Sequence, residues 1–349
     1  MKVVFLIGNY VPHQLVFINK LSKECKIEIH SYSISRKFTY IPEQTKKFVP
    51  YRFNDYNKKD VLQHILTFNP SLIIVAGWMI SEYVWICKYI KKSTNIPIVA
   101  MSDTPWYGTW KQKINVILSP FHLRKTFTHL WVAGIRQYEY ARRLGFADEK
   151  IIFNSLSADN STFHKVDIEI KADNYPKNFL YIGRYTQIKG LRNLVSAWSA
   201  ITDKKGWTFT LVGEGEMKEE LKENGQFIVL DYMTQDLLLQ EMQNSGCFVL
   251  PSLKEPWALV IHEAAAGGLP ILCTETCGAA PHFVINKYNG FRVKNNSIED
   301  LRNNLEMIIN TSYLKLLEYG KRSRELSNAI NPDIQLASLM QLIYADPKK

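Results

Sequence analysis

The stretch FVLPSLKEPWALVIHEAAAGGLPIL, residues 248–272, decides the fold of this chain. Residues 247–250 form an apolar run ahead of a proline and a serine, which is typical of a buried parallel strand. Residues 259–267 have the alanine-rich composition of a helix, and Gly268 is a helix-ending residue. The next apolar run begins at Ile271. A strand, a polar loop and a helix in this order predict a parallel α/β sheet, which binds ligands beyond the carboxyl ends of its strands.

The polar loop and the helix carry two carboxylates, Glu255 and Glu263, with seven residues between them. Carboxylates only accept hydrogen bonds, so both suit the hydroxyls of a sugar or a ribose. The N–H groups of Trp257, Ala258 and Leu259, at the positive end of the helix, suit a phosphate. The residues therefore predict a site for a sugar and a phosphate in one loop.

Two other interpretations of this pair stay open. Glu255 is also compatible with a solvated loop residue, and Glu263 with a residue that merely favours a helix start. A glycosidase acid/base pair is the second alternative, and it needs about 5–9.5 Å between its carboxyls. Eight helical residues span ~12 Å, so the spacing disfavours this pair, although a turn shortens it.

A second motif, YIGRYTQIKGLRNLVSA at residues 181–197, places Arg184 and Lys189 just after a predicted strand. Together with the Glu255-x7-Glu263 spacing, it resembles glycosyltransferase family 4, whose members are retaining enzymes of the GT-B fold. The glycine loop LVGEG at residues 211–215 resembles the next strand of that family. The resemblance is strongest over residues 179–293.

The resemblance implies an α/β chain of two Rossmann-like domains, whose parallel sheets face each other across a cleft. Alternating apolar strands and helical patterns in the first half agree with this fold class. The expected segments are an acceptor domain at 1–160, a linker at 161–178, a nucleotide-sugar domain at 179–331, and a helix at 332–349 that returns to the first domain.

The resemblance also implies an activity: transfer of a sugar from a nucleoside diphosphate sugar, with retention and without a metal or other cofactor. A UDP-sugar is slightly preferred over a GDP-sugar. The expected donor site comprises Gly183, Arg184, Lys189, Tyr232, Glu255, Trp257, Ala258, Leu259 and Glu263. The expected catalytic groups are Glu255, Asp103, Arg184 and Lys189. In this scheme Arg184 and Lys189 hold the diphosphate, Glu263 the ribose and Glu255 the donor sugar.

The acceptor is expected at the first domain, near His13, Asp103 and Trp106. Asp103 follows a predicted strand at 96–101, where the family commonly has a His or Asp beside the reacting sugar. It is equally compatible with a turn carboxylate ahead of a proline. His13 lies in the loop after the first strand, 3–7, and a lone histidine is more often a surface or structural residue.

The composition limits the other possibilities. The 349 residues, 46% of them hydrophobic, suffice for two cores. The five cysteines have no zinc-site spacing, and no Asp-x-Asp triplet offers a metal site. No apolar run approaches the roughly 20 residues of a membrane span, and no signal peptide pattern is present, so a cytoplasmic protein with reduced thiols is expected. No nucleic-acid motif accompanies the net charge of +10.

The segment KQKINVILSPFHLRK at residues 111–125 mixes basic and apolar residues. Such a stretch is typical of a helix that lies on anionic lipid. A helix packed into the core, with a solvated basic face and a break at Pro120, fits equally well. Peripheral association with the inner face of the membrane is therefore one expectation of two.

The resemblance also implies that the acceptor is a glycan or a lipid-linked sugar in bacterial surface polysaccharide assembly, such as that of lipopolysaccharide O-antigen. Two alternatives remain. A nucleotide-sugar epimerase or hydrolase on the same fold would consume the donor without an acceptor. A non-catalytic nucleotide-sugar-binding subunit would bind the donor without turnover, and Ala258, where the family usually has glycine, keeps this alternative open.

Overall fold

A computed structural model of the chain describes residues 1–23, 25–35, 40 and 42–344. These residues form two compact units, Met1–Ser157 with Pro332–Lys349 (unit 1) and Ala158–Asn331 (unit 2). The strands are β1 (Lys2–Ile7), β2 (Glu28–Ser33), β3 (Phe48–Arg52), β4 (Leu72–Val75), β5 (Ile98–Ser102), β6 (His129–Val132), β7 (Ile151–Ile152), β8 (Asn178–Ile182), β9 (Thr208–Val212), β10 (Ile228–Leu230), β11 (Cys247–Leu250), β12 (Ile271–Thr274) and β13 (Gly290–Val293).

Helices connect these strands in both units, as parallel sheets require. They are α1 (Pro12–Lys23), α2 (Lys58–Phe68), α3 (Ser81–Ser93), α4 (Trp110–Leu118), α5 (Leu123–Thr126), α6 (Ile135–Arg143), α7 (Asn160–Phe163), α8 (Leu191–Ser199), α9 (Lys218–Glu223), α10 (Gln235–Gln243), α11 (Leu259–Ala266), α12 (Ala280–Phe283), α13 (Ile298–Asn310), α14 (Tyr313–Ser327) and α15 (Pro332–Tyr344). Within the described residues, no helix is both long and apolar enough to cross a membrane.

Unit 1 is built on a seven-stranded sheet in the order β3-β2-β1-β4-β5-β6-β7, with every pair parallel. Side chains alternate across a strand, so β1 feeds two cores. Val4 and Leu6 pack into one core, and Val3 and Phe5 into the other. Burial on both faces explains why β1 is a continuous apolar run.

The C-terminal helix α15 packs against α1 within unit 1. Lys20 Nζ lies 2.7 Å from Asp333 Oδ1, and Gln335 Nε2 donates to Ser155 O at 2.8 Å. Leu339 is buried in the same core as Val3. The predicted fold class is thus confirmed: the chain is α/β with two parallel sheets, and its last helix joins the first unit.

Unit 2 has a six-stranded parallel sheet in the order β10-β9-β8-β11-β12-β13. The strand order runs outward in both directions from β8 and β11. These two strands are neighbours in the sheet, although at least 64 residues lie between them in the chain. In such sheets, ligands bind beyond the carboxyl ends of strands where the order reverses. This edge carries the loops after β8, β9 and β11.

The segment 161–178 was predicted to be a linker. These residues belong to unit 2, and the division of the chain falls between Ser157 and Ala158. Lys171 is only 3% exposed, and its Nζ donates to Met242 O and Ser245 O at 2.8 Å each. The segment is polar in composition, but the Lys171 ammonium donates its hydrogen bonds to buried backbone carbonyls and not to water. Its polar composition therefore does not reveal these contacts.

Candidate active site

Three loops meet at the carboxyl edge of the unit 2 sheet, and glycines allow their close approach. Gly190, after β8, has φ +70°, and a Cβ there would overlap Pro251 O after β11. Gly213, after β9, would in the same way overlap Gly183 O. A side chain at Gly190 would be strained by its backbone and blocked by its neighbour. The GR–x4–KG and GEG patterns therefore bring loops together.

Backbone hydrogen bonds fix these loops. Leu253 N donates to Ile188 O at 2.9 Å, which joins the β11 loop to the β8 loop. Tyr185 N donates to Glu214 O at 2.7 Å, and Met217 N donates to Tyr185 O at 3.0 Å. The side chains on these loops are thus held by a rigid backbone, which suits a binding site.

Lys189 and Glu255, predicted to contact the donor, form an ion pair with each other. The Lys189 side chain is 14% exposed and that of Glu255 11%. Ser252 Oγ donates to Glu255 Oε2 at 3.3 Å, and a short parallel bridge pairs the backbones of Glu255 and Cys277. An ammonium has three donors, so Lys189 can keep Glu255 and still donate to a phosphate.

Arg184 and Tyr232 are the exposed members of the predicted donor site. The Arg184 side chain makes no ion pair within the described residues, and the Tyr181 hydroxyl donates to its backbone carbonyl at 2.8 Å. A Cβ at Gly183 would lie 2.7 Å from that same hydroxyl, so glycine fits there best. Tyr232 follows β10 and is 61% exposed. Arg184 is thus free to meet an anion that reaches this edge.

The helix α11 begins directly after this loop, and no side chain caps it. Ala258, at its N-cap, has φ +75°, a region that glycine adopts more readily. Trp257 is 2% exposed and packs on the rings of His282 and Phe283, at 5.3 and 6.4 Å. The uncapped first turn of α11 leaves its N–H groups open to an anion. Trp257 Nε1 is buried with no partner among the described residues.

His262 anchors α11 inside unit 2. Its Nδ1 accepts from Ala158 N at 3.1 Å, so its Nε2 carries the proton and donates to Ser327 O at 2.9 Å. The ring stacks on Phe283 at 4.2 Å. Burial lowers the pKa of His262 to about 4, so the ring stays neutral at neutral pH. The sequence analysis missed this residue; its only signal was a histidine inside an apolar helix.

Glu263 lies in the second turn of α11, as the motif predicted. Burial raises the pKa of its carboxyl to about 7. No cation or hydroxyl contacts this carboxyl within the described part of the chain. A carboxyl in this state gains most from a ligand that donates hydroxyl hydrogen bonds to it.

Unit 1 has a pocket of about 650 Å³ at the carboxyl edge of its own sheet. Its lining comprises Gln14, Ala76, Gly77, Trp78, Met79, Met101, Ser102, Asp103, Thr104, Lys111, Gln112, Asn115, Tyr140, Ser155 and Leu156. Apolar walls with a few convergent polar groups are typical of small-molecule sites.

Of the three predicted acceptor residues, the pocket brings in Asp103 alone. Gln137 Nε2 donates to Asp103 O at 3.0 Å, which fixes that loop. His13 is near the start of α1, and burial lowers its pKa to about 4. The Trp106 ring packs between Arg143, at 4.6 Å, and Tyr140, at 5.7 Å. His13 and Trp106 do not line the pocket in the described structure.

The sequence analysis missed Lys111 and Asn115 as pocket residues. Both lie on α4, four residues apart, so they share one helix face. That spacing was the available signal, but the basic stretch was read as a surface feature. Among the described residues, no group of three or more His, Cys, Asp or Glu could hold a metal ion.

Comparisons with known proteins bear on unit 2 first. Residues 176–311 match the family model of group 1 glycosyl transferases. A glycosyltransferase of Haemophilus influenzae is 30% identical over 158 residues, which are 43% of this chain and 44% of that one. A Campylobacter jejuni N,N'-diacetylbacillosaminyl-diphospho-undecaprenol α-1,3-N-acetylgalactosaminyltransferase is 25% identical over 221 residues, 58% of this chain and 56% of that one. The chain spans about half the length of these curated relatives.

Solved structures match nearly the whole chain. Sucrose-phosphate synthase from Thermosynechococcus elongatus superposes with a TM-score of 0.79 at 17% identity, over 99% of this chain and 100% of that one. Anabaena HepE, in complex with UDP and glucose, gives 0.75 at 15% identity with the same coverage. These likenesses show the fold, which is GT-B.

Proposed function

We propose that the chain is a retaining glycosyltransferase of family 4, which moves a sugar from a nucleoside diphosphate sugar to a glycan or lipid-linked sugar. One observation carries the proposal. Glu255, paired with the largely buried Lys189, precedes the uncapped helix that presents the unpaired Glu263. These residues lie inside the segment that matches the glycosyl transferase family model. A hexose on UDP is the preferred donor.

The donor roles follow from the chemistry of each side chain. The diphosphate takes the Arg184 guanidinium, the Lys189 ammonium and the open N–H groups at the start of α11. Glu263 accepts hydrogen bonds from the ribose hydroxyls, and Glu255 accepts hydrogen bonds from hydroxyls of the donor sugar. Tyr232 is exposed beside β10 and is assigned to the base.

Retention without an enzyme nucleophile requires attack from the face that the diphosphate leaves. The bond between the anomeric carbon and the phosphate oxygen breaks, and a bond to the acceptor oxygen forms on the same face. The departing phosphate oxygen takes the acceptor's proton. The negative charge that develops on the diphosphate is offset by Arg184 and Lys189, which serve here in place of a metal ion.

The acceptor is assigned to the unit 1 pocket. There Asp103 accepts a hydrogen bond from an acceptor hydroxyl. The Lys111 ammonium pairs with an acidic sugar or a phosphate. The Campylobacter relative is named for a sugar carried on diphospho-undecaprenol. By analogy, the proposed work of this chain is bacterial surface polysaccharide assembly, at the cytoplasmic face of the membrane.

A thermal-shift experiment with nucleoside diphosphates and their sugars, in EDTA, tests the donor site. A ligand at 100 times its Kd stabilises the native state by about 2.7 kcal/mol. We expect UDP and UDP-sugars to raise Tm, and Arg184→Gln to abolish the rise. The matched control is Arg192→Gln, on the surface of α8, which should keep it. If no nucleotide raises Tm, the proposal is wrong.

Turnover is tested with Glu255→Gln, against the control Glu223→Gln at an exposed position of α9. In a lipid extract that contains polyprenyl diphosphate sugars, we expect the Glu255 variant to release UDP at least about 100-fold more slowly, the scale for loss of one transition-state contact. Full UDP release without acceptor would indicate a hydrolase or epimerase. Binding without release under any condition would indicate a non-catalytic subunit.

A further inference from the structure

The helix α4 exposes its apolar side. Trp110, Ile114, Ile117 and Leu118 are 67, 45, 70 and 48% exposed. Their spacing of four, seven and eight residues places them in one stripe of the helix. Phe121, in the 3₁₀ turn that follows, is 69% exposed. These five residues are here called the α4 stripe, and scattered single apolar residues do not account for such a run.

The opposite side of α4 faces the protein, where Val116 packs against the core beside polar side chains. Gln112 is 8% exposed, its Oε1 accepts from Tyr107 N at 2.8 Å and its Nε2 donates to Pro105 O at 2.8 Å. Asn115 Nδ2 donates to the Tyr140 hydroxyl at 2.8 Å. These bonds fix the rotation of the helix, so the stripe cannot turn inward. An ordinary surface helix has the reverse orientation. The core-packed interpretation of this segment is therefore wrong for the stripe.

Cations border the stripe. At about 100° per residue, Lys111 lies on one side of it and Lys113 on the other. Lys111 Nζ is 5.7 Å from the Trp110 ring centroid, and Lys125 Nζ is 6.0 Å from that of Phe121. The sequence has no Asp or Glu between Asp103 and Glu139. Long basic side chains beside an apolar face can reach up to phosphates while their stems lie on hydrocarbon.

We propose that the α4 stripe docks on an anionic lipid bilayer, with the helix lying in the plane of the headgroups. Apolar and aromatic side chains enter the acyl boundary, and the flanking lysines meet the lipid phosphates. A second copy of the chain fits less well. A two-fold contact through this face would place Lys111, Lys113 and Lys125 opposite the same cations, with no carboxylate between Asp103 and Glu139 to compensate.

The proposal deepens the function given above, on which this step rests. Lys111, Gln112 and Asn115 of the same helix line the unit 1 pocket, and the exposed Met79 lines it too. A helix docked by its stripe holds this pocket wall at headgroup level. The acceptor is then an amphiphile, whose tail stays in the bilayer while its sugar and phosphate enter beside Asp103 and Lys111.

Vesicle sedimentation tests the docking surface with the full chain. We expect binding to phosphatidylcholine vesicles that contain phosphatidylglycerol, and much weaker binding to phosphatidylcholine alone. Ile117→Glu should lower partitioning by at least tenfold. Leu314→Glu is the matched control, because Leu314 is 64% exposed on α14 in the other unit, and it should bind as wild type. Equal loss in both variants would overturn the proposal.

A charge series gives a second measurement. Lys113→Glu and Lys125→Glu should each weaken binding at least about fivefold, the scale for one basic residue at an anionic surface. Lys59→Glu, at an exposed position of α2, is the control and should change binding little. Trp110 emission should shift to the blue on vesicles, and Trp110→Phe should remove that shift.

Two further results would overturn the proposal. One is an absence of vesicle binding by the wild type. The other is a dimer in analytical ultracentrifugation that Ile117→Glu dissociates, which would assign the stripe to a second copy. Neither result affects the rise in Tm that nucleotides cause, which Arg184→Gln should abolish. Failure of the docking surface and failure of the proposed donor site are therefore distinguishable.

Discussion

The Glu263 side chain is half-buried before any ligand arrives. Its pKa is raised to about 7, from 4.5, by burial alone. No described cation offsets its charge, whereas Glu255 has Lys189. The two carboxylates of one motif therefore have different tasks. Lys189 positions Glu255, whereas Glu263 is free to accept hydrogen bonds from the hydroxyls of a ligand.

This difference predicts a pH dependence of stability. Below about pH 4.5, Glu263 is protonated in both the folded and the unfolded state; as pH rises toward 7, only the folded state resists ionisation. The free energy of unfolding therefore loses a contribution of up to about 3 kcal/mol between these pH values. Glu263→Gln should lack this loss. In urea unfolding, the free energy of unfolding of the variant should therefore rise relative to that of the wild type from pH 5 to pH 8.

Glu223→Gln, at an exposed position of α9, is the control and should follow wild type at both pH values. The same residue offers a second readout. Ribose hydroxyls that donate to Glu263 favour its charged form, so UDP binding near pH 6.5 should release a proton. Calorimetry in two buffers of different ionisation enthalpy measures this. An identical proton count for wild type and Glu263→Gln would remove Glu263 from the site.

The sequence was sufficient to name Glu255, Glu263, Arg184 and Lys189, because each lies in a recognisable local pattern. It did not reveal that Lys189 and Glu255 pair, since 66 residues separate them and only the neighbouring positions of β8 and β11 bring them together. The pKa of Glu263 was equally out of reach, because burial depends on what the rest of unit 2 packs around α11.

At the scale of elements, the site depends on how closely the β8 and β11 loops approach. Gly190 has φ +70° and lies against Pro251 O. A left-handed non-glycine residue costs about 1–2 kcal/mol, and the blocked Cβ adds the displacement of a backbone carbonyl. We expect Gly190→Ala to lower the free energy of unfolding by more than about 2 kcal/mol, and to weaken UDP binding because Lys189 moves with the loop.

Gly206→Ala is the matched control for that variant. Gly206 has φ +80°, and its nearest neighbour for a Cβ is the flexible Lys177 Cδ at 4.0 Å. It carries the backbone strain without the collision, so we expect a cost of only about 1 kcal/mol. Urea unfolding of the pair isolates the contact of the loops. Equal costs would mean that Pro251 yields freely and that the approach of the loops is not specified by Gly190.

Elements were predictable where a local period marked them. The strands β1, β5 and β11 are apolar runs, and the prediction placed each of them to within two residues. The strand Phe48–Arg52 was not predicted, because Pro50 interrupts its pattern; it lies at the edge of the sheet, where proline is tolerated. The contacts of Lys171 were not predictable, because a charged side chain suggests solvent and its carbonyl partners are distant in sequence.

At the scale of the whole molecule, the net charge of +10 acts in two different places. Lys189 is a largely buried cation paired with Glu255 in unit 2. The cations beside the α4 stripe, Lys111, Lys113 and Lys125, are exposed in unit 1, and the sequence has no Asp or Glu between Asp103 and Glu139. Exposed charges are screened by salt, whereas partly buried ones are screened much less.

Salt should therefore separate the two functions that we propose. From 0.1 M to 1 M NaCl the Debye length shortens from about 10 Å to about 3 Å. We expect partitioning onto phosphatidylglycerol vesicles to fall at least tenfold over this range, while the affinity for UDP falls much less. The binding that survives 1 M salt measures the apolar contribution of the stripe, because salt does not weaken hydrocarbon burial. Ile117→Glu should abolish this salt-resistant binding. If salt alone abolished it, electrostatics would suffice, and the exposed apolar stripe would need another explanation.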